Sequence, residues 1–260
     1  VTRDDWTPVT TGESGAAVFR SADGTRYAKH VPATDPAGTA ALAAERDRSD
    51  WLAGQGVKGP RVLDWHADDT GVRLVTSAVA GVPADRLPAA ELRACWGRIA
   101  EAVRALHAIP AARCPYRWDL DTVIAAARDV VARGAVNPEF LPEEQQDTPA
   151  EELLARLEPQ LPLRRKQAAG DTVVCHGDLT LPNIVVDPDT GNVAGFVDLG
   201  RLGLADRHTD LALLFAQARE TWPDESRARA LDADFATGYG AAPDPDRLRF
   251  YLHLDPLTWG

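Results

Sequence analysis

Methionine is absent from all 260 residues, and lysine nearly so: only Lys29, Lys58 and Lys166 stand against 25 arginines. The arginine bias points to a GC-rich coding sequence and makes the context of each lysine informative. No Met starts the chain, so an initiator Met, with or without a short leader, is expected ahead of Val1. Cysteine is scarce as well. Cys95, Cys114 and Cys175 are odd in number, widely spaced and without a Cys-x-x-Cys pair, which argues against a disulfide framework or a zinc site. A reduced, cytoplasmic setting is the expectation. No apolar run approaches the roughly 20 residues of a membrane-spanning helix, and "VTRDDWTPV" has no secretory pattern. Positive charge is in deficit. The net charge of −11 argues against a nucleic-acid partner and is compatible with a cationic one.

What is present is an ordinary globular composition, 45% hydrophobic and 26% charged, on a chain long enough for one large domain or two lobes. The first eighty residues favour strands. "AAVFR" (16–20) and "TRYAKHV" (25–31) flank Ser21-Ala22-Asp23-Gly24, whose Asp-Gly pair is a hairpin turn signal. Leu42, Glu45, Ser49 and Leu52 recur at helical spacing between Gly38 and Gly54. Two more strands are expected at 61–67 and 72–79, and "AGVPADRLPAA" then supplies the punctuation of a lobe boundary. Beyond it the pattern turns helical. Leu92, Trp96, Ile99, Val103 and Leu106 form one apolar stripe, so 90–108 is an amphipathic helix. Further helices are expected at 119–133, 149–158, around 211–218, at 224–238 and at 244–254. The expected architecture is α+β, with a small β-rich lobe (1–80) and a larger α-helical lobe (81–260).

Between the last helices lies "VVCHGDLTLPNIVVDPDTGNVAGFVDLGRLG" (173–203). Asp187-Pro188-Asp189-Thr190-Gly191-Asn192 is dense in turn residues, so 184–198 reads as a β-hairpin. It places Asn183 before one strand and Asp198 at the end of the other, and antiparallel pairing returns Asp198 toward Asn183. An amide oxygen and a carboxylate together can hold Mg²⁺ beside phosphate oxygens. Asp178, five residues before Asn183, is a second carboxylate able to orient a hydroxyl. The same residues are also common strand-end residues, and the hairpin by itself leaves both readings open. Other segments bear on the choice. "TTGESGAAVFR" sets Gly12 and Gly15 around Ser14, where backbone N–H groups can meet a phosphate. Lys29 lies on the following strand and Glu45 in mid-helix; each alone also fits a solvated face.

The order is Gly-rich turn, strand lysine, helix glutamate, lobe linker, His-Gly-Asp-x-x-x-x-Asn, hairpin, Asp-Leu-Gly. It resembles the protein-kinase-like fold. Two departures narrow the likeness. Gly177 stands where protein kinases usually carry Arg, and only eleven residues separate Asp198 from Asp210, too few for an activation segment. In these respects the chain resembles the aminoglycoside phosphotransferase family of small-molecule kinases. "GESG", "ERDR" (45–48), "VNPEFLP" (136–142), "VVCHGD" (173–178), "DLGRLG" (198–203), "ADR" (205–207), "DLALL" (210–214) and "LDPLTWG" (254–260) are similar to its streptomycin 3''-phosphotransferase branch. The segment at 136–142 and the tail are the more selective of these.

The resemblance implies ATP-dependent transfer of a phosphoryl group to the 3''-hydroxyl of streptomycin, with Mg²⁺ as the metal. Another aminoglycoside or small alcohol is the alternative substrate, and a nucleotide-binding regulator the alternative function. It implies Asp178 as the catalytic carboxylate, Asn183 and Asp198 as metal ligands, and Lys29, paired with Glu45, on the α- and β-phosphates. Gly12, Ser14 and Gly15 would cover the phosphates. The backbone of Ser77 and Val79, with Thr76 behind, would meet the adenine edge. His176 is expected as a strut, Cys175 in the core, and Asp210 as a helix cap or a brace of the catalytic loop. A doubly guanidinylated substrate calls for carboxylates and aromatic rings. Glu220, Trp222, Asp224, Asp255, Trp259, the terminal carboxylate of Gly260 and Glu139 are the candidates. A monomer is expected, without nucleic-acid or membrane partners.

Overall fold

Alternating apolar residues and a tight turn open the structure as an antiparallel sheet. It is a computed structural model that describes residues 6–9, 16–222 and 224–260. Five strands pair in the order β1-β2-β3-β5-β4: β1 (Trp6–Val9), β2 (Ala17–Ser21), β3 (Arg26–Pro32), β4 (Val62–Asp68) and β5 (Gly71–Ser77). The β2–β3 turn forms because Gly24 adopts φ +69° while Asp23 Oδ1 accepts from Ser21 Oγ (2.6 Å), Thr25 Oγ1 (2.8 Å) and Thr25 N–H (3.0 Å). These donors, Ser21 first, hold the Asp23 carboxyl down at about 2.

Helix α1 (Pro36–Gly54) crosses this sheet. Pro36 starts it without forfeiting a hydrogen bond, and the Asp35 carboxylate caps it by accepting from Gly38 N–H at 2.8 Å. Its buried positions are Leu42, Glu45, Ser49 and Leu52, the four at helical spacing. Leu42 joins Val31, Val72 and Leu74 in a small core. The hairpin β8 (Ile184–Val186) and β9 (Val193–Phe196) pairs with a short strand, β6 (Val82–Pro83), and all three belong to this first unit. A Cβ on Gly195 would lie 3.0 Å from the Lys58 carbonyl, a tight contact that glycine avoids where Phe196 N–H donates to that carbonyl. The unit thus comprises the chain up to Arg86 together with Pro182–Arg201. A boundary drawn once, at residue 80, misses this return.

The second unit, Leu87–Leu181 with Leu202–Gly260, is helical. Helix α2 (Ala89–His107) buries its whole predicted stripe, Leu92, Trp96, Ile99, Val103 and Leu106 each being at most 1% exposed. Such burial contributes roughly 1.5–3 kcal/mol per large side chain before entropy is counted. Then come α3 (Leu120–Ala132), α4 (Ala150–Leu157), α5 (Leu161–Asp171), α6 (His208–Thr221), α7 (Glu225–Tyr239) and α8 (Pro245–Leu254). Trp96 packs against Phe215, Trp222 and Phe235, with its Nε1–H on the Leu231 carbonyl at 3.0 Å. A second core joins α3, α4 and α8 through Ile124, Leu153, Phe250 and Leu257.

Strands β7 (Thr172–Cys175) and β10 (Gly203–Asp206) pair antiparallel within the helices, Cys175 opposite Gly203. Beside them the buried Arg247 bridges Asp171 and Asp206, and Asp206 also accepts from His208 Nδ1 (2.8 Å) and Tyr251 OH (3.2 Å). Burial alone would raise the Asp206 carboxyl, but the His208 and Arg247 hydrogen bonds outweigh it and the net direction is down. Among the described residues no helix is long and apolar enough to cross a membrane.

Candidate active site

In the first unit, β3 aims Lys29 at α1. Its Nζ donates to both carboxylate oxygens of Glu45, each at 2.8 Å, and pairs as well with the Asp198 carboxylate. Burial by itself would lower the Lys29 ammonium, yet Glu45 and then Asp198 more than offset it, so its pKa is raised and the charge is secure. Glu45 is drawn upward by burial, against the pull of Lys29.

The β8–β9 register places Ile184 opposite Phe196, and Val197 N–H donates to the Asn183 carbonyl at 3.0 Å. Asn183 and Asp198 therefore emerge at the same end of the hairpin, as the sequence predicted. Asn183 is 6% exposed, and Asp198 sits at φ +60°, the only non-glycine positive φ among the described residues. A left-handed residue of this kind costs of order 1–3 kcal/mol and persists where the surroundings impose it. Here Leu199–Arg201 follows as a 3-10 turn, and the Asp198 carboxylate pairs with Lys29. The amide and the carboxylate both offer hard oxygen donors, a set that fits Mg²⁺.

In the second unit, Asp178 follows β7 on a loop held from below by α6. Asp210, fully buried in the first turn of α6, accepts His176 N–H at 2.7 Å and Gly177 N–H at 2.8 Å. It is a brace of the loop and not a cap of its own helix. Two turns on, Gln217 Oε1 accepts Leu181 N–H at 2.6 Å. Gly177 has φ +85°, a conformation that an arginine side chain would strain. His176 is wholly buried and its Nδ1 accepts from Asp178 N–H at 3.3 Å, the strut expected of it. Cys175 is core, and burial pushes its thiol well up. The donor atoms of His107, Cys175 and Asp210 lie within 4.8 Å of one another. Asp210 is engaged by backbone N–H groups and His107, which makes this a hydrogen-bonded brace.

Ser77 N–H donates to the Arg61 carbonyl (2.8 Å) and Ala78 N–H to Thr25 (2.8 Å), while among the described residues Val79 N–H has no partner. Ser77 can therefore contribute an acceptor but not its N–H. Gly12, Ser14 and Gly15 lie outside the described residues. Two recesses in this unit, of about 570 and 380 Å³, adjoin Lys58; neither is lined by Lys29, Glu45, Asn183 or Asp198.

The substrate candidates separate. Trp222 is 7% exposed with its ring 5.6 Å from that of Trp96, and it belongs to the aromatic core. Asp224 caps α7 by accepting from Arg227 N–H at 2.8 Å. Asp255 accepts from Trp259 Nε1 at 3.1 Å, and the Gly260 carbonyl accepts from Arg133 at 3.4 Å. Glu220 and Glu139 are exposed. The residues that sequence reasoning missed are His107, Tyr239 and Gln217. Only Gln217 had a visible signal, seven residues from Asp210 on one helix face.

The chain is 69% identical to a streptomycin 3''-kinase of Streptomyces griseus, over 98% of its length and 93% of that protein's. It is 40% identical to an aminoglycoside 3'-phosphotransferase of Streptomyces fradiae, over 96% and 94%. The solved aminoglycoside phosphotransferase APH(3'')-Id of Streptomyces rimosus superposes with a TM-score of 0.94 at 62% identity, covering 98% of this chain and 93% of that one. Its complex with ADP and streptomycin gives 0.92 at 60% identity, over the same shares of the two chains. The model of the phosphotransferase enzyme family matches residues 5–251. The chain belongs to the phosphotransferase enzyme family and has its protein-kinase-like fold.

Proposed function

We propose that the protein transfers the γ-phosphoryl group of ATP to the 3''-hydroxyl of streptomycin and so inactivates the antibiotic. The observation that carries this reading is the identity of 69% to a streptomycin 3''-kinase over 98% of the chain. The bond from the substrate oxygen to phosphorus forms as the bond to the ADP oxygen breaks, and the hydroxyl proton passes to Asp178 and then to solvent. Lys29, its charge secured by Glu45, binds the α- and β-phosphates. Asn183 and Asp198 would hold Mg²⁺, which would supply positive charge to offset the charge developing on the phosphates. Val79 N–H and the Ser77 carbonyl suit the acceptor and donor on one edge of adenine, and Gly12, Ser14 and Gly15 suit the phosphates.

The first unit would thus carry the nucleotide and the second the catalytic carboxylate and the aminoglycoside. Glu220, Asp224, Asp255, Trp259 and Gly260 are the residues we assign to the guanidinium and amine charges, with Trp222 packing beneath. We further assign the protein to the cytoplasm, as a monomer that engages neither nucleic acid nor membrane. The test is incubation with MgATP and streptomycin, with the product identified by mass spectrometry and phosphorus NMR. A streptomycin monophosphate modified at the 3'' position is expected. Turnover only of another aminoglycoside or small alcohol would overturn the substrate while keeping the class. ATP binding without any phosphorylation would point to a regulator.

A further inference from the structure

Asp210 is a fully buried carboxylate that carries the catalytic loop, and it needs donors on all sides. Two come from the loop itself, His176 and Gly177 N–H. The third is His107, the last residue of α2, whose Nε2 lies 3.0 Å from Asp210 Oδ2. Its other nitrogen, Nδ1, lies 2.7 Å from the hydroxyl of Tyr239, the last residue of α7. The two rings meet edge to face at 5.6 Å, and both residues are buried. The donor pattern settles the tautomer. A carboxylate only accepts, so Nε2 carries the proton and donates to Asp210. Nδ1 faces the Tyr239 hydroxyl, from whose O–H it can accept. Burial, the largest influence on Tyr239, pushes its phenol up and keeps that proton in place.

None of these side chains is Asp178, yet they end on its loop. Without the His107 donor, the buried Asp210 charge is under-satisfied and can turn away from one of the two backbone N–H groups. Resting on the reading of Asp178 as the acceptor of the substrate proton, we propose that His107, backed by Tyr239, is a positioning residue for phosphoryl transfer. It fixes the Asp210 carboxylate, and Asp210 fixes the His176-Gly177 backbone that aims Asp178. The role is distinct from ligand binding, because both residues are buried at helix ends, His107 between Asp210 and Tyr239, and the Tyr239 hydroxyl also facing Arg207.

The test combines kinetics with amide hydrogen exchange on the full chain, using His107→Ala, His107→Gln and Tyr239→Phe, and counting active sites by ADP binding. His107→Ala is expected to lower kcat about 10- to 100-fold while the KM for MgATP and for streptomycin stays within about threefold, the usual size for a lost supporting partner. Tyr239→Phe should lower kcat about three- to tenfold by releasing Nδ1. His107→Gln, whose amide can still donate to Asp210, should recover most of the rate lost in the alanine variant. In step with kcat, exchange at the His176 and Gly177 amides should quicken about tenfold relative to Val174.

Unchanged kcat in both His107→Ala and Tyr239→Phe overturns the proposal. So does a loss that falls mainly on KM, a lowered kcat with unaltered exchange at the two amides, or a glutamine variant no better than alanine. Should His107→Ala fail to fold, Tyr239→Phe, which preserves the ring packing, decides alone. Wild-type protein that makes no streptomycin phosphate would instead overturn the substrate reading. The exchange measurements would then still decide whether His107 holds the loop.

Discussion

Lys29 and Glu45, sixteen residues apart on a strand and a helix, meet with one ammonium donating to both carboxylate oxygens at 2.8 Å. Glu45, and after it the Asp198 carboxylate, keep the lysine charge in place against burial. Lys29→Met is therefore expected to lower kcat/KM for ATP by about 10²–10³, the scale of losing one group that stabilises developing phosphate charge. Glu45→Gln, which loosens Lys29 without removing it, should cost about tenfold. Steady-state kinetics with ATP varied would check both. A Lys29→Met enzyme within threefold of wild type would remove the lysine from the mechanism.

Asp178→Asn keeps the shape of the side chain and removes its basicity. A loss of about 10²–10⁴ in kcat is expected, with ADP affinity by calorimetry unchanged. Survival of near wild-type turnover would exclude Asp178 as the proton acceptor.

The Arg247 cluster makes a stability prediction. Burial raises the Asp171 and Asp206 carboxyls, but hydrogen bonds from Arg247, His208 and Arg207 more than reverse this, leaving both depressed. A depressed folded pKa means that their contribution is fully present above the ordinary carboxylate value and is lost as pH falls through the folded one. Thermal stability should thus hold from neutral pH down to about pH 4 and drop below it. Arg247→Met strands Asp206 in the interior, which should cost about 3–5 kcal/mol at neutral pH and move the acid transition upward. Urea unfolding at several pH values measures both, and an unchanged acid transition in the variant would refute the assignment.

Gly177→Ala tests the loop geometry. At φ +85° a Cβ costs about 1–2 kcal/mol. Both Tm and kcat should fall, because Gly177 is also one of the two amides on Asp210. A Gly195→Ala variant should lower Tm through its 3.0 Å approach to the Lys58 carbonyl.

Much of this was legible in residue order, and the reasons are local. The turn residues 187–192 announce the hairpin, and period-2 pairing then carries Asp198 back to Asn183. The four buried positions of α1 and the stripe of α2 follow from helical spacing alone. What was not legible depends on distant partners. Helix α5, "LPLRRKQAAGD", has little apolar periodicity and is held largely by Arg164 and its neighbours. Strands β7 and β10 are four residues each and pair only through tertiary contacts. Trp222 looked like a surface aromatic because its partner, Trp96, lies 126 positions earlier. His107 and Tyr239 gave no local sign, since what each does is defined by a helix elsewhere in the chain.

The return of Pro182–Arg201 to the first unit has a consequence for synthesis. A ribosome that has released residues 1–86 has not supplied a finished unit, because its last strands arrive only after 95 residues of the other unit have emerged. The first unit closes through contacts of long sequence separation, which form late. A gene cut at the linker near residue 86 would therefore yield a leading fragment without Asn183 and Asp198, and a trailing one carrying a hairpin that has lost its sheet partner β6. The two fragments should regain activity only when expressed together.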